Sequence, residues 1–308
     1  MEKLKIGMVG LGYIAQSTYL PLLANHANVE FVGAFSPNAD EAKKLCAQYR
    51  IDYYTDLTSL IDMVDALFVH SATSSHYEVV KAALLKGKAV YVDKPLAAEL
   101  EQATELVELA DKQKTPLMVG FNRRFAPAYI DLKMRLDKPA FIHVEKHRID
   151  EVGHDLAFTL LDDYIHIIDT LYWLADGQFD NATQYLQVNA AGELIFGQSR
   201  YQNNDGVYLA SMHRASGTSL EKISVIQKNT CMEVVDMLQL QTVDHDTRIM
   251  APVNLRITAP ARRGFDNAVN HFIESVLGAT TPIISGYDAI AAQTIIENII
   301  ADYRKQQK

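Results

Sequence analysis

The chain has 308 residues, 48% of them hydrophobic and 22% charged, which is typical of a globular protein with room for two domains. Its 38 acidic residues outnumber its 29 scattered basic residues, giving a formal charge of −9 that would repel a nucleic acid backbone. No apolar run approaches the ~18 residues of a membrane span, and residues 1–10 lack the pattern of a secretion signal. Two cysteines cannot form a disulfide framework. We therefore expect a cytoplasmic protein that does not bind membranes.

The N-terminal part of the chain alternates short β-rich runs with helical patterns. Such alternation is typical of βαβ units, in which a parallel sheet carries helices on both faces. Residues 1–121 are therefore predicted to form a doubly wound α/β domain. Its predicted strands lie at 4–9, 29–35, 66–70, 89–92 and 117–120, and its predicted helices at 14–24, 39–48, 77–86 and 98–113.

The alternation breaks near residue 121, where we place a domain boundary. Consecutive strands with few helices between them predict an α+β domain over 122–308 with an open, mostly antiparallel sheet. Helices are predicted at 128–136, 160–174, 264–278 and 286–306, and strands at 140–148, 182–188, 194–201, 207–213, 221–227, 230–235 and 237–243.

A glycine-rich turn follows the first predicted strand and precedes a helix, with the spacing G-x-G-x-x-A. Gly10 permits the tight turn, Gly12 lets the backbone approach a pyrophosphate, and the small Ala15 lets the helix pack on the strand. The helix N-terminus adds a favourable field for an anion. This context predicts a dinucleotide-binding Rossmann domain that takes NAD(P), although a purely structural glycine turn is the alternative.

The end of the second predicted strand lacks the acid that would bind the ribose of NAD. Ser36 and Asn38 stand there instead, and both can donate hydrogen bonds to a 2′-phosphate. We therefore expect a weak preference for NADP(H) over NAD(H). Lys43 and Lys44 could assist, but on a helix they are more often a solvated face.

Asp93 and Lys94 follow the fourth predicted strand, at the carboxyl edge of the sheet where ligands bind in such folds. A lysine there can hydrogen-bond a substrate hydroxyl and carry its proton while a hydride moves to or from a nicotinamide. The alternative is an ordinary surface lysine, since lysine is seldom buried.

Several short segments form a specific combination along almost the whole chain: GLGYIA at 10–15, His76, GKAVYVDKPLA at 87–97, GFNRRFAP at 120–127, LLDDYIHIID at 160–169, and NHFIESVLG at 270–278. In this combination the chain resembles the Gfo/Idh/MocA family of glucose-fructose oxidoreductase, inositol dehydrogenase and their relatives. Its details are most similar to the MviM-type oxidoreductases, whose names settle no substrate.

The resemblance implies that Lys94 contacts both the nicotinamide and the substrate hydroxyl. Asp93 replaces a glutamate of the family, which makes its own contact to the cofactor less certain. The implied cofactor-binding residues are Gly10, Gly12, Tyr13, Ile14, Ser36, Ser71, Thr73, His76, Asp93, Lys94 and Asn122.

Asp162 and His166 are four residues apart on a predicted helix, so they share a face and can meet over one hydroxyl. The resemblance implies that this pair acts with Lys94 in proton transfer. Asp163 is the neighbouring alternative to Asp162, and local hydrogen bonding without catalysis is the structural alternative for the pair. Tyr164 stands where many relatives have glycine, so it would narrow the substrate site or offer its own hydroxyl.

Arg124 matches a regular arginine of the family and is predicted to bind the substrate, with an ion pair between domains as the alternative. The sequence predicts no metal site, because no carboxylate-rich cluster has metal-ligand spacing. The resemblance also implies a homodimer or larger homo-oligomer, formed through the open face of the second sheet.

We expect an NAD(P)-dependent oxidoreductase that acts on the carbinol carbon of a sugar, polyol or related small hydroxylated substrate. Two alternatives remain open at this point. One is an NAD-dependent hydrolase that cleaves a glycosidic bond through transient oxidation. The other is a ligand-sensing regulator without turnover, which the retained Lys94, Asp162 and His166 argue against. The substrate and the direction of reaction do not follow from the sequence.

Overall fold

The computed structural model describes residues 3–254 and 256–307. The chain divides into two compact units, and the first combines Met1–Phe121 with Asp266–Ala291. The second unit combines Asn122–Phe265 with Ala292–Lys308. The sequence analysis also placed a boundary after residue 121, but it assigned all of 122–308 to the second domain, whereas the compact units group 266–291 with the first.

Aromatic packing explains why this segment joins the first unit. Phe272 lies edge-on to Phe68 and Tyr91 of the first sheet, with ring centroids 5.4 and 5.6 Å apart. Asn270 Oδ1 lies 2.9 Å from His26 Nε2, which adds a polar contact within the same unit. The apolar periodicity of residues 264–278 predicts a helix, but it does not show which part of the chain that helix packs against.

The first unit contains a six-stranded parallel sheet in the order β3-β2-β1-β4-β5-β6. This order confirms the predicted Rossmann fold. Strands β4 and β5 are buried along their whole length, because helices cover both faces of a parallel sheet. The six strands are β1 (Leu4–Val9), β2 (Val29–Phe35), β3 (Asp52–Tyr54), β4 (Ala66–Val69), β5 (Ala89–Val92) and β6 (Leu117–Val119).

The second unit contains an eight-stranded sheet in the order β14-β13-β12-β11-β7-β10-β9-β8. Only the β7–β10 pair is parallel among its described strand pairs, which confirms the predicted mostly antiparallel sheet. Burial alternates along β7, so one face of the sheet packs inward. The strands are β7 (Phe141–His147), β8 (Asp180–Val188), β9 (Leu194–Gln202), β10 (Val207–His213), β11 (Leu220–Gln227), β12 (Thr230–Val235), β13 (Gln239–Asp244) and β14 (Thr247–Met250).

Helices occur throughout the described chain, and two of them follow π-helical turns at Ala15–Tyr19 and Leu160–Tyr164. Within residues 3–254 and 256–307, no helix is both long and apolar enough to cross a membrane. The helices are α1 (Leu20–Ala24), α2 (Ala39–Tyr49), α3 (Leu57–Asp62), α4 (Thr73–Leu85), α5 (Leu100–Gln113), α6 (Pro127–Met134), α7 (Leu156–Thr159), α8 (Ile165–Leu174), α9 (Ala259–Arg262), α10 (Phe265–Leu277) and α11 (Gly286–Gln306).

The elements that the sequence analysis missed are all short. They are β3, β14, α3, α7 and α9, none of which is longer than six residues. Strand β14 is exposed along its length, so it lacks the alternation by which a strand is recognised in sequence.

Candidate active site

The turn after β1 passes very close to the end of β4. Gly10 has a φ of +89°, and a Cβ added to it would lie 2.4 Å from the backbone nitrogen of Ser71, so only glycine fits. A Cβ added to Gly12 would meet no atom within 4 Å. Exposed backbone beside open space at the start of a helical segment suits a pyrophosphate, so these residues fit a dinucleotide. The next two predicted cofactor residues also border this turn, with Tyr13 86% exposed and Ile14 half-buried.

A carboxylate lies between this turn and the end of β2. Asn38 Nδ2 donates a hydrogen bond of 2.9 Å to Glu41, and Gln16 Nε2 donates one of 3.2 Å to the other oxygen of the same carboxylate. Ser36, two residues before Asn38, is half-buried. The sequence analysis missed Glu41 because it lies six residues beyond the end of β2, on α2, rather than directly after the strand.

His76 joins two loops at the carboxyl edge of the first sheet. Its side chain is only 1% exposed, with Nδ1 2.8 Å from Pro95 O and Nε2 3.0 Å from Ser71 O. A neutral imidazole can donate from one of these nitrogens only. Both ring nitrogens lie within hydrogen-bonding distance of the protein's own carbonyls, so His76 helps to position these two loops, and its direct cofactor contact stays a prediction.

Ser71 and Thr73 flank the start of α4. The hydroxyl of Ser71 accepts a hydrogen bond of 2.7 Å from Ser75, and Thr73 is the first residue of the helix. The first backbone N–H groups of a helix have no partner within it. The loop can therefore present both hydroxyl and amide donors at the carboxyl edge of the sheet.

Lys94 is half-buried just beyond β5, and its backbone N–H donates to Asp93 Oδ1 at 2.8 Å. The adjacent Lys94–Pro95 peptide bond is cis. Because β1, β4 and β5 are neighbours and parallel, the loops that follow them leave the same edge of the sheet. The structure thus groups the predicted first-unit residues at that edge.

His70, at the end of β4, is a buried polar residue of this unit that the sequence analysis missed. It stacks on Tyr19 with ring centroids 3.8 Å apart, and neither ring nitrogen has a hydrogen-bond partner among the described residues. Burial, together with the nearby His76, lowers the pKa of His70 to about 3. His70 is therefore neutral at physiological pH.

In the second unit, Asp162 lies in the π-helical turn and His166 in the first turn of α8. The prediction treated 160–174 as one α-helix, but π-helical hydrogen bonds span one residue more and turn side chains away from α-helical directions. Asp162 is exposed and His166 is half-buried. Their pairing stays a prediction.

Asp163 is committed to other partners. Its carboxylate binds Lys146 and Arg214, and one of its oxygens lies 3.9 Å from Arg148 Nε. Burial alone would raise the pKa of Asp163, but these three cations hold it below its ordinary value. Asp163 is therefore an ion-pairing residue, and the role of Asp162 in proton transfer stays a prediction.

Tyr164 belongs to the core of the second unit, which corrects its predicted substrate contact. Its side chain is fully buried, and its hydroxyl donates to Ala210 O at 3.0 Å and lies 2.8 Å from Ser199 Oγ. Because the π-helical turn directs Tyr164 onto the sheet, it has no surface left for a ligand.

Two further predicted residues also make buried contacts within the second unit. Arg124 binds Asp169 through Nε and Nη2, at 3.1 and 2.6 Å, and both residues are less than 8% exposed. Asn122 Nδ2 donates to Arg263 O at 2.7 Å. The ion-pair alternative for Arg124 is thus present, but inside one unit rather than between domains, and its substrate contact stays a prediction.

The inner face of the second sheet ends in charged residues that the sequence analysis left out. We call Arg123, Lys146, Arg148 and Arg214 the cationic cluster. The alternation of β7 could have identified it, because Lys146 falls on the buried face after Ile142 and Val144. In the described part of the chain, no three histidine, cysteine, aspartate or glutamate side chains gather as a metal site requires.

Two protein families match most of the chain. Residues 4–121 match the Gfo/Idh/MocA family, described as an oxidoreductase family with an NAD-binding Rossmann fold. Residues 127–245 match the family described as the YceM-like C-terminal domain.

Individual proteins match over different lengths. YceM of Salmonella typhimurium is 42% identical over 303 residues, which is 98% of this chain and 99% of that protein. Inositol 2-dehydrogenase/D-chiro-inositol 3-dehydrogenase of Halalkalibacterium halodurans is 31% identical over 192 residues, which is 58% of this chain and 55% of that enzyme.

Solved structures share the whole fold. The dehydrogenase MviM from Clostridium difficile has a TM-score of 0.95 at 37% identity, and the match covers 98% of this chain and 100% of that one. A Gfo/Idh/MocA family oxidoreductase from Vibrio cholerae has a TM-score of 0.90 at 29% identity, with 99% of each chain covered.

Proposed function

The chain belongs to the Gfo/Idh/MocA family of oxidoreductases with an NAD-binding Rossmann fold, and from this membership we propose that it transfers a hydride between nicotinamide and a carbinol carbon. The substrate class is a sugar, a polyol or a related small hydroxylated compound. The observation that carries the proposal is the open backbone at Gly12, which fits the cofactor on the same sheet edge as Lys94. Similarity to inositol dehydrogenases over 58% of the chain supports the alcohol substrate.

The first unit would hold the cofactor and one proton-handling group. When bound, nicotinamide supplies the hydride acceptor or donor. Gly10 and Gly12 shape the turn for the pyrophosphate, while Ser71 and Thr73 offer hydroxyls. Lys94 would hydrogen-bond the substrate oxygen and accept the hydroxyl proton as the carbinol becomes a carbonyl, or return that proton in the reverse reaction.

Asp162 and His166 of the second unit are the other proposed proton-transfer residues. An imidazole accepts a proton near neutral pH, and a carboxylate can orient or charge it. Asp163 is excluded from this role by its ion pairs with Lys146 and Arg214.

Cofactor preference would depend on the balance between Ser36 and Glu41. The hydroxyl of Ser36 can donate to a 2′-phosphate, whereas the carboxylate of Glu41 repels one. Asn38 uses one of its two amide hydrogens for Glu41, so any phosphate bound by the other would lie close to this carboxylate. The weak preference for NADP(H) that the sequence predicts is therefore reduced in this proposal.

The proposal includes a homodimer or larger homo-oligomer in the cytoplasm. Large apolar side chains such as Tyr185 and Ile226 are 60% and 49% exposed on the second sheet, and a second copy of the chain could cover them. The free thiols of Cys46 and Cys231 suit a reducing compartment. Sedimentation velocity measures the mass, and a monomer at micromolar concentration would contradict the oligomer.

Thermal unfolding with NAD+, NADH, NADP+ and NADPH tests the cofactor site, because a ligand stabilises the folded state by RT ln(1 + [L]/Kd). Nicotinamide absorbance with a panel of polyols and sugars then tests hydride transfer. We expect Lys94→Met to keep the nucleotide shift and lose turnover. Lys112→Met, an exposed substitution on α5, is the matched control and should keep both. The proposal fails if protein freed of copurified nucleotide is stabilised by none of the four.

A further inference from the structure

The cationic cluster lies at one end of the inner face of the second sheet. Lys146 is paired in register with Met212 of β10 on one side and with Glu221 of β11 on the other. Arg148 follows β7 and Arg214 follows β10, and these two strands are parallel, so both arginines leave the same end of the sheet. The sheet topology alone therefore brings several cations together.

The cluster holds more positive than negative charge. It contains two carboxylates, the half-buried Asp163 and the buried Glu221, and both are shared among several cations. A further carboxylate, that of Glu151, is 60% exposed and lies 3.8 Å from Arg214. Four basic side chains thus share these two carboxylates, in a chain whose total formal charge is −9.

Burial makes this surplus costly. Lys146 is 1% exposed, Arg123 is 3% exposed and Arg214 is 6% exposed. Arg123 binds Glu221 through Nε and Nη2 at 2.8 Å each, but its Nη1 is buried without a hydrogen-bond partner among the described residues. Buried charges and donors are normally paired, so this N–H donor within a positive cluster is a position at which an anionic oxygen could bind.

Burial and neighbouring cations disfavour the charged form of Lys146. Burial and the neighbouring Arg123 lower the pKa of Lys146 to about 7, against the opposing effect of Glu221 and Asp163. Arg263 carries a further positive charge close to Arg123 and Arg148, and its pKa is also lowered, by burial and by these two arginines. A bound anion would relieve this repulsion.

We propose that the cationic cluster is an oxyanion site, and that the substrate of this oxidoreductase carries a carboxylate or phosphate group that binds there. The inference rests on the proposed function and narrows its substrate class from hydroxylated compounds to anionic ones. Arg148 is the cluster residue through which a ligand arrives, because its side chain is 26% exposed whereas the other three are 7% exposed or less. Its planar guanidinium can bind a carboxylate or phosphate with two hydrogen bonds.

The site also adjoins the proposed proton-transfer residues within the second unit. Asp163, which binds Lys146 and Arg214, directly follows Asp162 in the π-helical turn. A substrate held by its anionic group at the cluster would thus be anchored next to the segment that carries Asp162. The cluster orients the substrate and takes no part in hydride transfer.

Isothermal titration with acetate and with inorganic phosphate, at constant ionic strength set by potassium chloride, tests the site and separates carboxylate from phosphate. The wild type is expected to bind one of the two, and Arg148→Gln to bind it about tenfold or more weakly, as for the loss of a charged hydrogen bond. Arg148→Lys should retain part of the affinity. Arg135→Gln, an exposed arginine paired with Asp131 on α6, is the matched control and should bind as the wild type does.

Hydride transfer provides the second measurement. Glucose, glucuronate and glucose 6-phosphate are neutral, carboxylate and phosphate probes of one sugar, and circular dichroism confirms that each variant is folded. Equal anion affinity in the wild type and Arg148→Gln, or no anion binding by the wild type, overturns the anion site even if nucleotides still stabilise the protein. Anion binding without any nucleotide shift instead contradicts the proposed oxidoreductase and leaves the anion site standing.

Discussion

Replacing Gly12 by alanine separates cofactor binding from folding at the glycine-rich turn. The added Cβ would meet no protein atom within 4 Å, and the φ of Gly12 lies outside the left-handed region. The free energy of unfolding without cofactor should therefore change by no more than about 0.5 kcal/mol. The same methyl group occupies the space in which a pyrophosphate approaches the backbone. We expect nucleotide affinity to fall at least tenfold, which corresponds to about 1.4 kcal/mol.

Gly10→Ala is the matched control at the same turn, and it should behave in the opposite way. Its φ of +89° costs an alanine about 1–2 kcal/mol, and its Cβ would overlap the backbone nitrogen of Ser71 at 2.4 Å. Together these effects should lower the free energy of unfolding by more than about 2 kcal/mol.

Both variants are measured by urea unfolding without nucleotide and by fluorescence titration with NADH and NADPH. Unchanged nucleotide affinity in Gly12→Ala would refute the argument that a cofactor approaches this backbone. A large loss of stability in Gly12→Ala would show that the space beside it is filled by the protein itself.

Three further outcomes are expected. Glu41→Gln should raise the affinity for NADP+ relative to NAD+ about fivefold, because it removes a charge that repels a 2′-phosphate; an unchanged ratio of dissociation constants would contradict this role. Tyr164→Phe should lower the free energy of unfolding by about 1–3 kcal/mol, because it removes two buried hydrogen bonds. The control Tyr185→Phe, at a 60% exposed position, should change that free energy by less than about 0.5 kcal/mol when both variants are unfolded in urea. The pKa of Lys146 is lowered to about 7 in the folded chain. Between pH 7 and about 10.5 the unfolded chain therefore binds more protons at this residue than the folded chain does. Lys146 thus makes the free energy of unfolding rise with pH across that window. Lys146→Met should flatten that rise, and equal slopes in both proteins by chemical unfolding at pH 7 to 10 would count against it.

Local patterns were sufficient to predict five of the six strands of the first sheet and the glycine-rich turn. A strand, a G-x-G-x-x-A turn and a helix are adjacent in sequence, so Gly10 and Gly12 could be assigned roles without tertiary information. The buried strands β4 and β5 also read directly as short apolar runs.

Other features depend on contacts between distant residues. Glu41 meets Gln16 across 25 residues, and the sequence offers no pattern for that contact. Tyr164 was misplaced because an α-helical register was assumed where the chain forms a π-helical turn. Lys146 was the exception, since its position on the buried face of β7 follows from alternation alone.

The return of 266–291 to the first unit constrains the order in which the chain can mature during synthesis. Residues up to 121 leave the ribosome with all six strands of the parallel sheet, but Phe272, which covers Phe68 and Tyr91, is made about 150 residues later. Until then, that aromatic surface is exposed to water and to other nascent chains. The Rossmann unit is thus completed only after the whole eight-stranded sheet of the second unit has been synthesised.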